Sequence, residues 1–218
     1  MSHISGTRPY SRAEYISDAI VHASGIGAAL VGGPVLIVLA ALWIGEAALV
    51  AALAVYVATG LAMWSFSAAY NLLQRPAWVE RLRRFDKSAI YFKIAGTYTP
   101  FAILVSAHGA FLVAIWSVAA LGALMILFSS RLGWLSIPLY LGLGWAGAIW
   151  GGPLVSSLSP AGFWLLAAGG ITYSSGIAFL LWTRLPFHNT IWHVFVFLGS
   201  LACYAAIAAE LWLRANPV

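Results

Sequence analysis

Long apolar stretches separated by short polar segments make up most of the chain. Seven stretches can be counted, at about 20–44, 47–73, 88–107, 111–129, 132–150, 162–182 and 189–213. A helix that crosses the ~30 Å hydrocarbon core of a bilayer needs about 20 apolar residues. Backbone polar groups in lipid must be satisfied within the segment, so helices are expected for stretches of this length. The pattern predicts an all-α, polytopic membrane protein with seven transmembrane helices.

The composition excludes most soluble classes of protein. The 218 residues are 62% hydrophobic and 8% charged, and the mean hydropathy is +0.92. A soluble domain carries about 25% charged residues, so a cytosolic enzyme and a disordered chain are both excluded. The net charge is +5, and most of the basic residues lie between the apolar stretches. This placement favours anionic lipid headgroups over nucleic acid as partners. We therefore predict one transmembrane domain over residues 1–218 whose partners are membrane lipids.

The basic residues are distributed unequally between the two sides of the predicted bundle. Nine lie in the N-terminal segment or in the loops after spans two, four and six: Arg8, Arg12, Arg75, Arg81, Arg83, Arg84, Lys87, Arg131 and Arg184. The opposite side has only Arg214, and Lys93 lies inside span three. Because cytoplasmic loops are enriched in Lys and Arg, we expect a cytoplasmic N-terminus and an external C-terminus. The predicted location is the inner (plasma) membrane.

Ionisable residues inside or next to the spans need an explanation, because a charge at the bilayer centre costs at least about 2.5–3.5 kcal/mol. Asp18 and His22 are four residues apart at the start of span one and share a helix face, so they could form a hydrogen bond. Lys93 either extends its ammonium toward the interface or pairs with Asp86, seven residues earlier on nearly the same face. Structural roles are expected for all of these residues.

A second polar set lies at the cytoplasmic ends of spans two, three and seven, where three helix ends could converge on one site. It consists of Ser67, Asn71, Asp86, His188, Asn189 and His193. His188 and His193 are five residues apart and so about 140° apart around a helix, which is poor geometry for shared metal ligation. Asn189 has an alternative role as the N-cap of span seven.

Several motifs in this chain resemble those of the hemolysin III family, the bacterial branch of the PAQR (progestin and adipoQ receptor) superfamily. They are DAIVHASG from Asp18, SAAYN from Ser67, RFDKSAIY from Arg84, IAGTYTPF from Ile94, YLGLGW from Tyr140, GGITYSSG from Gly169 and RLPFHNTIWHVFV from Arg184. They occur in order over nearly the whole chain. The resemblance implies a seven-helix bundle with a cytoplasmic N-terminus, in agreement with the charge distribution.

The resemblance also implies a zinc site near the cytoplasmic side, with one histidine on span two and two at the start of span seven. Carried over to this chain, Ser67 and Asp86 are the expected catalytic residues and His193 is the expected metal ligand. Asn71 and Asn189 occupy the positions of the other two histidines, and Cys203 occupies that of a further one. Asparagine is a weak zinc ligand, so we expect no bound zinc. The alternative is a non-standard zinc site that joins His193 to Asp86, His188 or Cys203.

Three functions follow from the resemblance. The first is a lipid-interacting or receptor-like bundle with a degenerate zinc site, in which Ser67, Asn71, Asp86, Asn189 and His193 form a hydrogen-bonded junction. The second is a membrane-embedded, metal-dependent hydrolase of lipid amides or esters. The third is a pore-forming cytolysin, although no charged stripe along a helix supports it. We favour the first.

Overall fold

The computed structural model describes residues 10–73, 75–104 and 109–216, and helices account for nearly all of them. The long helices are α1 (Arg12–Trp43), α2 (Ala47–Leu72), α3 (Val79–Leu104), α4 (Gly109–Phe128), α5 (Ser136–Trp150), α7 (Pro160–Leu181) and α8 (His188–Ala215). A 3₁₀ turn at Ser130–Leu135 precedes α5, and a short helix, α6 (Gly152–Ser156), follows α5. No strand occurs in these three ranges. The all-α fold expected from the sequence is confirmed.

Five of the described helices, α1, α2, α4, α7 and α8, are long and apolar enough to cross a membrane. Of the other two long helices, α3 begins with a charged stretch and carries Lys93 in its interior, and α5 has only 15 residues. The protein is therefore an integral, multi-pass membrane protein. The count of seven crossings and the orientation of the termini stay predictions.

Several helix boundaries differ from those of the predicted spans. Helix α1 begins at Arg12 rather than near Ile20, because Ser11 and Glu14 form a capping box. Helix α3 begins at Val79, so part of the polar segment before span three is helical. The loop expected after Trp150 contains α6, and Gly109, expected in a break, belongs to α4. Arg8 and His108 lie outside the described residues.

Helices α2 and α3 approach closely because a glycine lies at their contact. A Cβ atom on Gly96 would overlap Oγ1 of Thr59. Thr59 is itself constrained, since its hydroxyl donates to the backbone carbonyl of Val55 at 2.8 Å. Small residues at such contacts allow helix backbones to pack tightly in membranes.

A cavity of about 250 Å³ lies between α2, α3, α5, α7 and α8. Its wall is mostly apolar and aromatic and includes Met63, Trp64, Tyr98, Trp145, Leu154, Tyr173, Trp192 and Val196. Polar side chains also line it: Ser67, Asp86, Lys93, Thr97, Ser174, His193 and Cys203. The fold thus encloses apolar space that reaches the polar residues singled out from the sequence.

Candidate functional site

Buried and half-buried polar side chains of α1, α2 and α8 form a cluster that we call the polar junction. Its members are Asp18, His22, Ser67, Asn71, Asn189, Thr190 and His193, and hydrogen bonds connect them. Asp18 is 1% and His22 0% exposed, so α1 supplies the most deeply buried members. The sequence predicted a junction of spans two, three and seven. The structure places α1 at its centre instead.

Asp18 is the main acceptor of the polar junction. Its Oδ1 accepts from the Thr190 hydroxyl at 2.6 Å, and its Oδ2 accepts from Nδ2 of Asn189 at 2.8 Å. The hydroxyl of Tyr10 donates to the same Oδ2. An ionised carboxylate only accepts hydrogen bonds, at both oxygens, so these donors stabilise the charged form. Partial burial, followed by the hydrogen bond to Asp18, raises the pKa of Tyr10, which precedes α1.

Ser67 lies between two imidazole rings. Nδ1 of His22 lies 2.7 Å from the backbone carbonyl of Asp18, and a carbonyl only accepts, so Nδ1 carries the proton. Nε2 of His22 then accepts from the Ser67 hydroxyl at 3.1 Å. The Ser67 oxygen in turn accepts from Nε2 of His193 at 3.3 Å. Asp18 and His22 do interact as their spacing suggested, although through the backbone carbonyl rather than the carboxylate.

The two asparagines that replace expected histidines contact each other. Nδ2 of Asn189 donates to Oδ1 of Asn71 at 2.9 Å, and Nδ2 of Asn71 donates to the backbone carbonyl of Ser67 at 2.9 Å. The alternative role of Asn189 as an N-cap is wrong, because α8 begins one residue earlier, after Phe187. Phe187 has a left-handed backbone (φ 59°), and the Glu14 carboxylate accepts its amide at 2.8 Å. This contact holds the start of α8 against α1.

The donor set of the polar junction does not fit a zinc ion. Zinc in proteins is bound by three or four thiolate, imidazole or carboxylate groups. Within the described ranges, no group of three or more His, Cys, Asp and Glu residues could hold a metal ion. Asn189 donates to the side-chain oxygen of Asn71, and the buried Nδ1 of His193, 3.7 Å from the carboxylate of Asp18, has no hydrogen-bond partner among the described residues. The geometry ties three helices by hydrogen bonds where the resemblance implies metal ligands.

The remaining candidate residues lie around the polar junction or farther along the cavity. Asp86 of α3 lines the cavity together with Ser67 and His193. Cys203 is buried and lines the same cavity, next to Gly169 of α7. His188 opens α8, and its buried Nδ1 has no hydrogen-bond partner among the described residues. The carboxylate of Asp86 faces Ser67 and His193 from α3, whereas no hydrogen bond of the polar junction within the described ranges includes His188 or Cys203.

Lys93 takes neither of the positions expected from the sequence. Its side chain is buried, with 6% exposure, and Nζ lies 3.8 Å from the centre of the Tyr56 ring. This is a cation–π contact rather than an ion pair with Asp86. The ammonium therefore stays inside the bundle instead of reaching the interface.

Sequence reasoning missed two donors to Asp18. Thr190 directly follows Asn189, and its hydroxyl is on the helix face that carries His193 one turn later. Its position next to Asn189 and one turn before His193 could have identified Thr190 as a member of the polar junction. Tyr10 precedes α1 and is eight residues from Asp18, a spacing that indicates no contact in sequence. Only the path of the chain before α1 brings it to the carboxylate.

Comparison with known proteins identifies the family. The model of the family described as "Haemolysin-III related" matches residues 12–204. The chain is 38% identical over 198 residues to the hemolysin-3 homolog of Bacillus subtilis (strain 168), covering 89% of this chain and 92% of the relative. It is 37% identical over 200 residues to hemolysin-3 of Bacillus cereus, covering 89% and 90%. The human monocyte to macrophage differentiation factor is 30% identical over 135 residues, 58% of this chain and 54% of that protein. The chain belongs to the haemolysin III-related family of membrane proteins, within the PAQR superfamily.

Proposed function

We propose that this protein is a lipid-binding, receptor-like bundle of the plasma membrane, in which the polar junction replaces the zinc site that the resemblance implies. The observation that carries the proposal is the hydrogen bond between Asn71 and Asn189, of which Asn189 also donates to Asp18, beside an apolar cavity. A bundle that binds lipid without metal chemistry needs a shaped cavity and firmly held helix ends. The chain has residues suited to both.

The cavity is suited to a hydrocarbon chain. Ligand pockets are typically apolar and aromatic, with a few polar groups that orient the ligand. Rings of Trp64, Tyr98, Trp145 and Tyr173 contribute to this wall, and Ser67, Asp86 and His193 supply polar groups. A volume of about 250 Å³ suits part of one acyl chain better than a two-chain lipid.

Hydrogen bonds at the polar junction hold the helices together, as a bound metal would do by ligating residues from more than one helix. The paired groups of a buried polar network hold helices in register, since separating such a pair leaves a buried group unpaired at a cost of about 1–3 kcal/mol. Asp18 takes donors from three residues, and Asn71 contacts both Ser67 and Asn189. The network joins α1, α2 and α8 without requiring an ion.

Two glycines on α5 provide a matched test of lipid binding. Gly144 lines the cavity and Gly142 does not, and a Cβ on either residue would meet no atom within 4 Å. Gly144→Leu places a side chain at the cavity wall, so we expect purified protein to lose most of its copurified acyl lipid, measured by mass spectrometry. Gly142→Leu should retain it. Equal lipid content in both variants would contradict binding in this cavity.

Hydrolysis is the second candidate function, because Ser67 lies between the imidazoles of His22 and His193 next to the cavity. Turnover of a fluorescent lipid amide or ester, with and without added zinc, distinguishes the two functions. Stoichiometric zinc in the purified protein that is lost on His193→Ala, together with turnover, would replace the binding function with the metal-dependent hydrolase. Dye release from vesicles would instead indicate the pore-forming function.

A further inference from the structure

Lys93 is a cation inside the bundle that the polar junction does not use. It lines the cavity and is 6% exposed. Its Nζ contacts the face of the Tyr56 ring at 3.8 Å and lies 3.6 Å from the position a Cβ would take on Gly60. Within the described part of the chain, no ion pair or hydrogen bond of its ammonium is found.

An ammonium group has three donors and no acceptor, and an aromatic face occupies only one side of it. Intramembrane lysines are costly and as a rule pair with another group or mark a ligand pathway. Lys93 and Asp86 line the same cavity, but no ion pair joins them within the described residues. A negatively charged ligand group is the missing partner that this geometry leaves room for.

We propose that Lys93 binds the carboxylate of a single-chain amphiphile whose hydrocarbon chain occupies the cavity. The proposal rests on the lipid-binding function proposed above and assigns the head group of the ligand. It places that head group at Lys93 rather than at the polar junction.

Depth in the membrane favours a carboxylic acid over other anionic groups. Lys93 is seven residues beyond Asp86 on α3, which corresponds to about 10 Å along the helix. Phosphate esters and sulfonates stay charged and are strongly disfavoured at such depth. A carboxylic acid can enter in its neutral form and ionise beside the ammonium. The cavity volume of about 250 Å³ limits the ligand to one chain.

Tryptophan fluorescence supplies the test, because Trp64, Trp145 and Trp192 line the cavity and bromine atoms quench indole emission on contact. The full-length protein in uncharged detergent is titrated with dibromostearic acid and with its methyl ester, which has the same chain without the charge. Lys93→Met removes the ammonium at similar size, and Lys93→Arg retains a cation. Acetate, which has the charge without the chain, is added as a competitor.

We expect wild type to bind the acid about ten- to hundredfold more tightly than the ester, the range that one hydrogen bond to a charged group provides. Lys93→Met should remove this preference while leaving ester binding intact, which also shows that the variant is folded. Lys93→Arg should retain most of it.

Equal binding of acid and ester, unchanged in Lys93→Met, would overturn the role of Lys93 and leave lipid binding in place. Absence of quenching by either compound would overturn lipid binding as well. Displacement of the brominated acid by millimolar acetate would show that the ligand is a small anion rather than an amphiphile.

Discussion

The side-chain amides of Asn71 on α2 and Asn189 on α8 are joined by a 2.9 Å hydrogen bond from Nδ2 of Asn189 to Oδ1 of Asn71. In the resemblance to the hemolysin III family, both positions are expected to be zinc ligands. Two neutral amides can donate to and accept from each other, whereas two imidazoles there would direct lone pairs at a shared ion. This hydrogen bond joins α2 to α8 at the two positions where the resemblance implies metal ligands, and the bond between Ser67 and His193 joins the same helices.

Restoring both histidines should restore metal binding. Together with His193, the double variant Asn71→His/Asn189→His provides three imidazoles, the usual number of protein ligands at an open zinc site. We expect about one zinc per chain in the double variant and none in wild type, measured by elemental mass spectrometry. The triple variant that also carries His193→Ala should lose the metal. Zinc in wild type at the same level would contradict the prediction.

Removing the charge of Asp18 should destabilise the bundle strongly. Asp18→Asn presents an amide to donors from Thr190, Asn189 and Tyr10, so at least one buried donor loses its acceptor. We expect a loss of about 3 kcal/mol of unfolding free energy, measured by denaturant titration in detergent. The control Glu80→Gln, at an exposed ion pair, should cost less than about 1 kcal/mol. A similar small effect for both variants would contradict the central role of Asp18.

The close contact of α2 with α3 should not tolerate a methyl group at Gly96. The Cβ atom of the new alanine would overlap Oγ1 of Thr59. Thr59 has a β-branched side chain whose hydroxyl is hydrogen-bonded to the backbone of α2, so it cannot move aside easily and the two helices must separate. We expect Gly96→Ala to cost about 1–3 kcal/mol by overpacking. Gly142→Ala, in open space on α5, should be neutral or slightly stabilising because alanine favours helices. Thermal unfolding of the two variants side by side provides the measurement, and equal midpoints would refute the contact.

The exposed ion pairs at the start of α3 should make a small, pH-dependent contribution to the free energy of unfolding. The hydrogen bond from Arg83, and to a lesser degree that from Arg84, holds the pKa of Glu80 below its usual value. A lowered pKa in the folded state means that the stabilisation is present above the unfolded pKa and is lost as pH falls through the folded one. Glu80→Gln should therefore reduce stability by about a few tenths of a kcal/mol at neutral pH, and this effect should disappear as the pH falls below the pKa of Glu80 in the folded protein. An effect that grows as the pH falls would have the wrong sign.

The orientation predicted from the basic residues can be tested with fusions. A reporter that is active only outside the cytoplasm should be active after Ala215, at the end of α8, and inactive in the loop after Leu181, because one crossing separates the two sites. A fusion after Ala215 that is active only in the cytoplasm would reject the count of seven crossings.

The apolar pattern by itself determined the helical membrane class, since a backbone in lipid must satisfy its own hydrogen bonds. The polar residues at the end of span two and at the start of span seven were also identifiable, because polar groups there are costly and therefore few. Contact between Asn71 and Asn189 was anticipated, and the structure confirms it.

Tertiary structure alone decided which helix supplies the centre of the polar junction and what Lys93 contacts. Asp18 and His22 looked like a local pair on span one, yet Asp18 binds Thr190 and Asn189 on α8, and His22 binds Ser67 on α2. These partners are 45 to 172 residues away, and helical periodicity reports only on neighbours within one helix. The same limit applies to Lys93, whose contact with Tyr56 depends on how α2 packs against α3 rather than on spacing along either helix.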